Sequence, residues 1–372
     1  VTLTFDSTAN AALAKTLAGQ ITAGIFAGTI KPFTSNDGPP PALPPGTVGS
    51  FVQQSSGVAL LSPGYRSFIG AASSMNVFGS GDANETILSG MGSLTFTALA
   101  GSGTVVAGGG GTSKILIGPG DPGNWSINTG GGDDRILALG AGNDSISAGG
   151  GNNQIQLGAG RSTVVSSGED TILAGAGAAT IIASAGAEDA IFGGAGKLFF
   201  VGGTGEATVF GGTGSTTILG GDGESVFHGG SDGHNLLIAG SGAATLFGAG
   251  DGDLLEAGGD HQKLIAGAGA ETLNAVFGNQ TTLVAGTGNS TMIGGFGKDV
   301  YEFVNGQAGG HVAVLDFTSG QKIDLDGYGH AEIANAVATQ THAGGATTIT
   351  LSDHTTITFS GVASLTKGDF TS

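Results

Sequence analysis

Residues 203–211 read GTGEATVFG, followed by GTGSTTILG at 212–220 and GDGESVFHG at 221–229. Each nine-residue unit places one inward-type apolar residue (Val209, Ile218, Phe227) four positions after a glycine (Gly205, Gly214, Gly223). The register extends in both directions, from Ile127 to Tyr301, over twenty units. Of the nineteen gaps between successive apolar positions, fourteen are nine residues, four are ten and one is eight. Glycine stands four residues earlier in sixteen of the twenty, the exceptions being Ala187, Asp251, Asp260 and Asn279. A unit this short is a turn plus one very short strand, and it cannot bury its single apolar side chain alone. Units must therefore coil and stack, each strand pairing with strands of the neighbouring coils, and if two units make one coil the twenty give about ten coils. The glycine is expected to supply positive φ at the turn.

Composition agrees. Glycine contributes 76 of 372 residues without a three-residue period, which excludes collagen, and hydrophobic residues make up 39%, which sets the chain apart from disordered polypeptides. A formal net charge of −18 argues against nucleic acid as a partner, and the lack of a long apolar run argues against membrane insertion. There are no cysteines, so disulfides and thiolate chemistry are excluded. All nine prolines lie at or before Pro122, leaving the rest of the chain free to form uninterrupted ladders. The expected organisation is an N-terminal strand (VTLTF), helix (Ala9 to Ile30) and extended Pro-rich linker (Pro32 to Pro45) over 1–50. An irregular solenoid start at 51–122, the repeat solenoid at 123–303 and a β-rich C-terminal cap at 304–372 follow. The fold class is all-β, a parallel β-roll or β-solenoid of nonapeptide repeats.

GGFGKDVYE (Gly294 to Glu302) fits the nonapeptide G-G-x-G-x-D-x-U-x residue for residue, and GAGNDSIS (Gly140 to Ser147) fits all but its first position. The chain from about residue 120 onward thus resembles the RTX, or haemolysin-type calcium-binding, repeat proteins. VLDFTSGQKIDLDG (Val314 to Gly327) and FSGVASLTKGDF (Phe359 to Phe370) resemble the cap and secretion region that follow such repeats in proteins exported through one-step channels. The resemblance implies a parallel β-roll, an extracellular or cell-surface location, and calcium held between the aspartates of successive coils.

The calcium aspartate of that pattern falls two residues before the core position, and only six of twenty units carry Asp there. Asp170 with Asp189 is the one Asp pair in register; Asp134 with Asn153 and Asp253 with Glu271 are weaker pairs. At most a few calcium ions are expected, since an Ala or Leu in the ladder removes a ligand outright. The competing reading takes these acids as solvated turn carboxylates that satisfy local backbone N–H groups.

Threonine precedes the core residue in nine units, which raises an ice-binding reading, but consecutive units fall on opposite sheets and no single face collects all nine. The residue after the core position is often large and apolar, as at Phe210, Leu219, Phe247 and Ile265. Alternation points it outward, onto a wall of the kind that packs against other protein. VTLTFDST is a candidate for strand addition to a neighbouring subunit or for folding back on its own chain. Asp251, Asp253, Glu256 and Asp260 form an acidic cluster of the type used to cleave polysaccharides, but turn acids account for it, and the histidines show no metal or triad spacing. The expected role is a non-enzymatic, secreted structural protein that assembles with itself. The alternatives are a calcium-responsive module binding extracellular polysaccharide and, third, a carbohydrate-active enzyme.

Overall fold

The computed structural model describes residues 2–35, 39–184, 186 and 188–371. Of the positions singled out above, Val1, Ala187 and residues 36–38 of the linker lie outside the described residues. The chain divides into two compact units, Val1–Gly196 and Lys197–Ser372. Each is a β-solenoid of parallel strands.

In the first unit, one sheet runs from Lys31–Ser35 and Gly49–Gln53 through Tyr65–Gly70, Glu85–Ser89, Gly103–Ala107, Trp125–Asn128 and Ser145–Ser147 to Ser162–Ser166 and Ala179–Ala183. The other begins at Gly57–Leu60 and ends at Asp189–Phe192, with Lys114–Ile117, Arg135–Ala138 and Gln154–Leu157 at its centre. In the second unit the sheets start at Leu198–Val201 and Ala207–Phe210 and alternate in the same way. Residues two repeats apart pair directly, as Ile136 with Ile155 and Leu237 with Leu255, so two nine-residue units make one coil. All twenty apolar positions of the repeat are at most 1% exposed. Their stacking in rung register is the core, with Phe96 edge-on to Trp125 across it in the first unit and Phe200 to Phe227 in the second.

The glycine column has a different cause from the one expected. Among the glycines four residues before a core position, only Gly151 and Gly233 have positive φ. Most of the others are required because turns of successive coils lie almost in contact: a Cβ on Gly160 would stand 1.7 Å from the Gly142 carbonyl oxygen. A side chain there would force the coils apart and break the ladder on both sides.

The N-terminal segment contains a helix and a strand, though not where the alternation of VTLTF placed the strand. Thr2–Phe5 is outside any strand, and the strand is Lys31–Ser35, which overlaps the start of the segment read as linker. Helix α1 (Thr8–Phe26) starts at Ser7, whose hydroxyl accepts the Asn10 N–H. It lies on the outside of the first sheet, burying Ala14 and Ile21 against Leu88 and Val106, with Leu3, Phe5 and Ile69 packed alongside. Tertiary burial outweighed local alternation: Leu3 and Phe5 serve the helix seat, and the Asp6 N–H bonds the Gly108 carbonyl.

In the second unit the parallel stack ends when Thr356–Ser360 pairs parallel to His311–Val314 and antiparallel to Ala346–Thr350, which in turn pairs antiparallel to Thr341–Ala343. Helix α2 (Glu332–Thr339) packs beside this hairpin, and Phe317 bridges the ring of Tyr301 to that of Phe359.

Candidate functional site

The position two before each core residue is buried in all twenty units, polar ones included. It begins the strand with its side chain turned inward at the rim of the core, where turn N–H groups of the adjoining coil lack a strand partner. Buried donors require an acceptor, and this column provides it. In the first unit the Ser113 N–H donates to Asp134 Oδ1 (2.6 Å), the Asp134 N–H to Asn153 Oδ1 (2.9 Å), the Asn153 N–H to Asp170 Oδ1 (3.1 Å) and the Asp170 N–H to Asp189 Oδ1 (3.2 Å). In the second unit Thr216 N–H donates to Asn235 (2.7 Å) and Asn235 N–H to Asp253 (2.9 Å). Each side chain thus holds the backbone of its counterpart one coil earlier. A second, exposed column one residue before runs the opposite way: Asn124 accepts from the Asn143 N–H (2.7 Å) and Asn143 from the Arg161 N–H (3.0 Å).

The structure therefore brings Asp134, Asn153, Asp170 and Asp189 into one continuous line, and Asp253 and Glu271 onto successive coils of the second unit. They are not solvated: their exposure is between 1% and 4%, which corrects that reading, while their bonds to backbone N–H groups match it. Burial raises the carboxyl pKa values of Asp134, Asp170, Asp189 and Glu271. Asp134, Asp144 and Asp189 are pushed up to about 6 and Glu271 to about 7, with Asp170 and Asp299 shifted in the same direction. For Asp189 the neighbouring Asp170 adds to the effect, and hydrogen bonds oppose it.

Their oxygens are committed in ways that do not suit calcium. Asp170 Oδ1 accepts from Asn153 N–H and Nδ2, and its Oδ2 from the Ser166 hydroxyl; Asp189 Oδ1 accepts from Asp170 N–H and shares Ser166. Of the carboxylates in these pairs, Asp189 Oδ2, Asp134 Oδ2 and Glu271 Oε1 are left over, each in a different turn. Asp253 spends both oxygens on N–H donors of Asn235, Ala249 and Gly250, and Glu271 Oε2 accepts the Gly267 N–H. Calcium takes six to eight oxygen ligands. Among the described residues no three acidic or histidine side chains converge on a point that could hold a metal ion. The acidic side chains at these turns do not by themselves supply that number.

Several ladder members escaped a reading keyed to aspartate. Ser166 joins Asp170 to Asp189; Gln262 bonds Gly258 N–H, Gly240 O and Gly242 O; Trp125 donates its N–H to Asp144 and its indole N–H to Asp121. For Trp125 and Gln262 the signal available was the shared offset from the core position; Ser166, two residues after Val164, has none. The acidic cluster does not converge: Asp253 is buried inside the roll, Glu256 lies on an outer face beside Asn274, and Asp251 accepts the Ala270 N–H in a turn.

Outside the roll, the side chains sort by sheet. The nine threonines are divided between sheets in both units, as the alternation required. In the second unit one outward column is Phe210, His228, Phe247 and Ile265, and it ends at Val284, which is buried. His228 is stacked between the two rings, at 4.7 Å from Phe210 and 4.3 Å from Phe247, and desolvation there lowers its pKa. No family model, curated protein or solved structure matches this chain.

Proposed function

We propose that this is a secreted structural protein of the cell surface or extracellular matrix, of a degenerate RTX type, which assembles with itself into filaments or layers without catalysis. The observation that carries this reading is the outward column of the second unit, where rings and aliphatic side chains stand in register and Phe210 is 40% exposed. Ion pairing contributes little beside it: Lys263 with Glu302, at 3.1 Å, is the salt bridge among the described residues. An apolar wall of this kind favours lateral packing. End-to-end pairing is disfavoured at Lys31–Ser35, because Pro32 has no N–H to donate and Lys31 adds charge. The backbone-holding ladder supports a rigid roll in which apolar stacking and side-chain amides take the part that calcium plays in typical repeats.

Electron microscopy of the purified chain with and without excess chelator, at matched concentration, tests the reading. Ordered filaments or sheets that survive chelation are expected, and the F210S/F247S double variant should disperse them. Monomers that compact or associate only when calcium is added would overturn it in favour of a calcium-responsive polysaccharide-binding module.

A further inference from the structure

We propose that the second sheet of the first unit carries, on its outer face, a binding site for an acidic, carboxylate-bearing polysaccharide, centred on Lys114 and Arg135. These two residues are directly paired on adjacent parallel strands, and both are exposed. Like charges at paired positions repel, and neither contributes to the core, since Ile115 and Ile136 beside them fill it. No acidic group lies within salt-bridge distance of either among the described residues. Asp133 and Asp134, which precede Arg135, are turned to the N–H groups of Asn152 and Ser113. In a chain with 11 basic and 29 acidic residues, two unpaired cations set side by side are a cost that a bound anion would offset.

The surroundings narrow the anion. A shallow cavity of about 260 Å³ lies between Lys114 and Arg135 on one side and Leu116 and Leu137 on the other, with Thr95 and Thr97 at one end. A cationic rail beside an apolar floor suits a ligand that joins a carboxylate to a C–H face, as a uronate ring does. The rail continues coil by coil into Gln154 and Thr171, which offer a hydrogen-bonding group at each strand spacing of about 4.8 Å. An open, linear row of this kind suits a polymer lying along the stack. Duplex DNA, with a charge every ~1.7 Å, would need a longer track of cations than this pair gives. At physiological salt the screening length is about 8 Å, so the local pair outweighs the distant acids of the chain.

Affinity electrophoresis of the full chain in gels containing polygalacturonate, dextran, dextran sulfate or duplex DNA, at 0.15 M salt, tests this. Retardation by polygalacturonate and not by dextran is expected. The K114Q/R135Q variant should lose about tenfold or more in affinity, since two charge-assisted contacts disappear. K298Q, at a basic residue elsewhere, should behave as the parent. Circular dichroism should show the double variant folded, as both side chains are on the surface. The proposal is overturned if the parent chain is not retarded by polygalacturonate or if the double variant binds it undiminished. Stronger retention by dextran sulfate or DNA than by polygalacturonate would also overturn the carboxylate assignment. Each result is independent of whether the chain forms filaments.

Discussion

At the scale of single residues, two columns hold the turns: a glycine that lets coils touch and a polar side chain that ties them. Gly160→Ala would place a methyl 1.7 Å from the Gly142 carbonyl oxygen, and we expect a loss of about 3 kcal/mol or more in chemical denaturation. The acid column behaves differently. Asp134 Oδ1 is bonded to Ser113 N–H, while its Oδ2 is buried with no hydrogen-bond partner. Asn153, at the equivalent position one coil on, satisfies the same geometry without a charge by donating Nδ2 to the Gly149 carbonyl. Asp134→Asn should therefore raise stability at pH 8, and by less at pH 5. Asp134→Ala strands the Ser113 N–H and should cost about 1–3 kcal/mol at pH 5. Equal stability of all three proteins at both pH values would show that the column is passive.

At the scale of elements, α1 is a cover. Its apolar side buries Leu88 and Val106, which would otherwise extend the outward apolar surface of the first sheet, and the Asn10 amide ties it to the Thr129 carbonyl at 2.8 Å. Removing residues 1–30 should keep the far-UV β signal, because the ladder of strands from Gly49 onward does not depend on the helix. It should also raise binding of a hydrophobic dye and promote aggregation as Ile69, Leu88 and Val106 meet water. Unfolding of the whole first unit on deletion would instead mean that α1 is part of its core. The fit is close at one glycine: a Cβ on Gly108 would overlap the Phe5 ring.

At the scale of the whole molecule, the buried acids make stability depend on pH. Their folded pKa values, about 6 for Asp134, Asp144 and Asp189 and about 7 for Glu271, lie above the ordinary 3.8 and 4.5. Below about pH 4 both folded and unfolded chains are protonated at these groups. As pH rises, the unfolded chain releases its protons first, so the stability they contribute is lost through the folded pKa values, between about pH 4 and 7. The melting temperature should be lower at pH 8 than at pH 5 by about 5 °C or more, measured by differential scanning calorimetry at fixed ionic strength. A melting temperature that is flat or higher at pH 8 would contradict the assigned shifts.

The solenoid was legible in the sequence because a strict period needs no knowledge of distant contacts: one apolar residue per nine positions has no core to join except the one its copies make. The same period located the core residues from Ile127 to Tyr301 and the line of Asp134, Asn153, Asp170 and Asp189, since equal offsets from the core fall on equal places in the coil. What those side chains bond to was decided by tertiary structure. The N–H groups they accept belong to the adjoining coil, so burial, rather than solvation, sets their chemistry. The seat of α1 was also decided there, because Leu3, Phe5, Leu88 and Val106 are far apart in the chain and meet only once the coils stack. The pairing of Lys114 with Arg135 has the same origin: twenty-one residues separate them in sequence, and one strand spacing separates them in the fold.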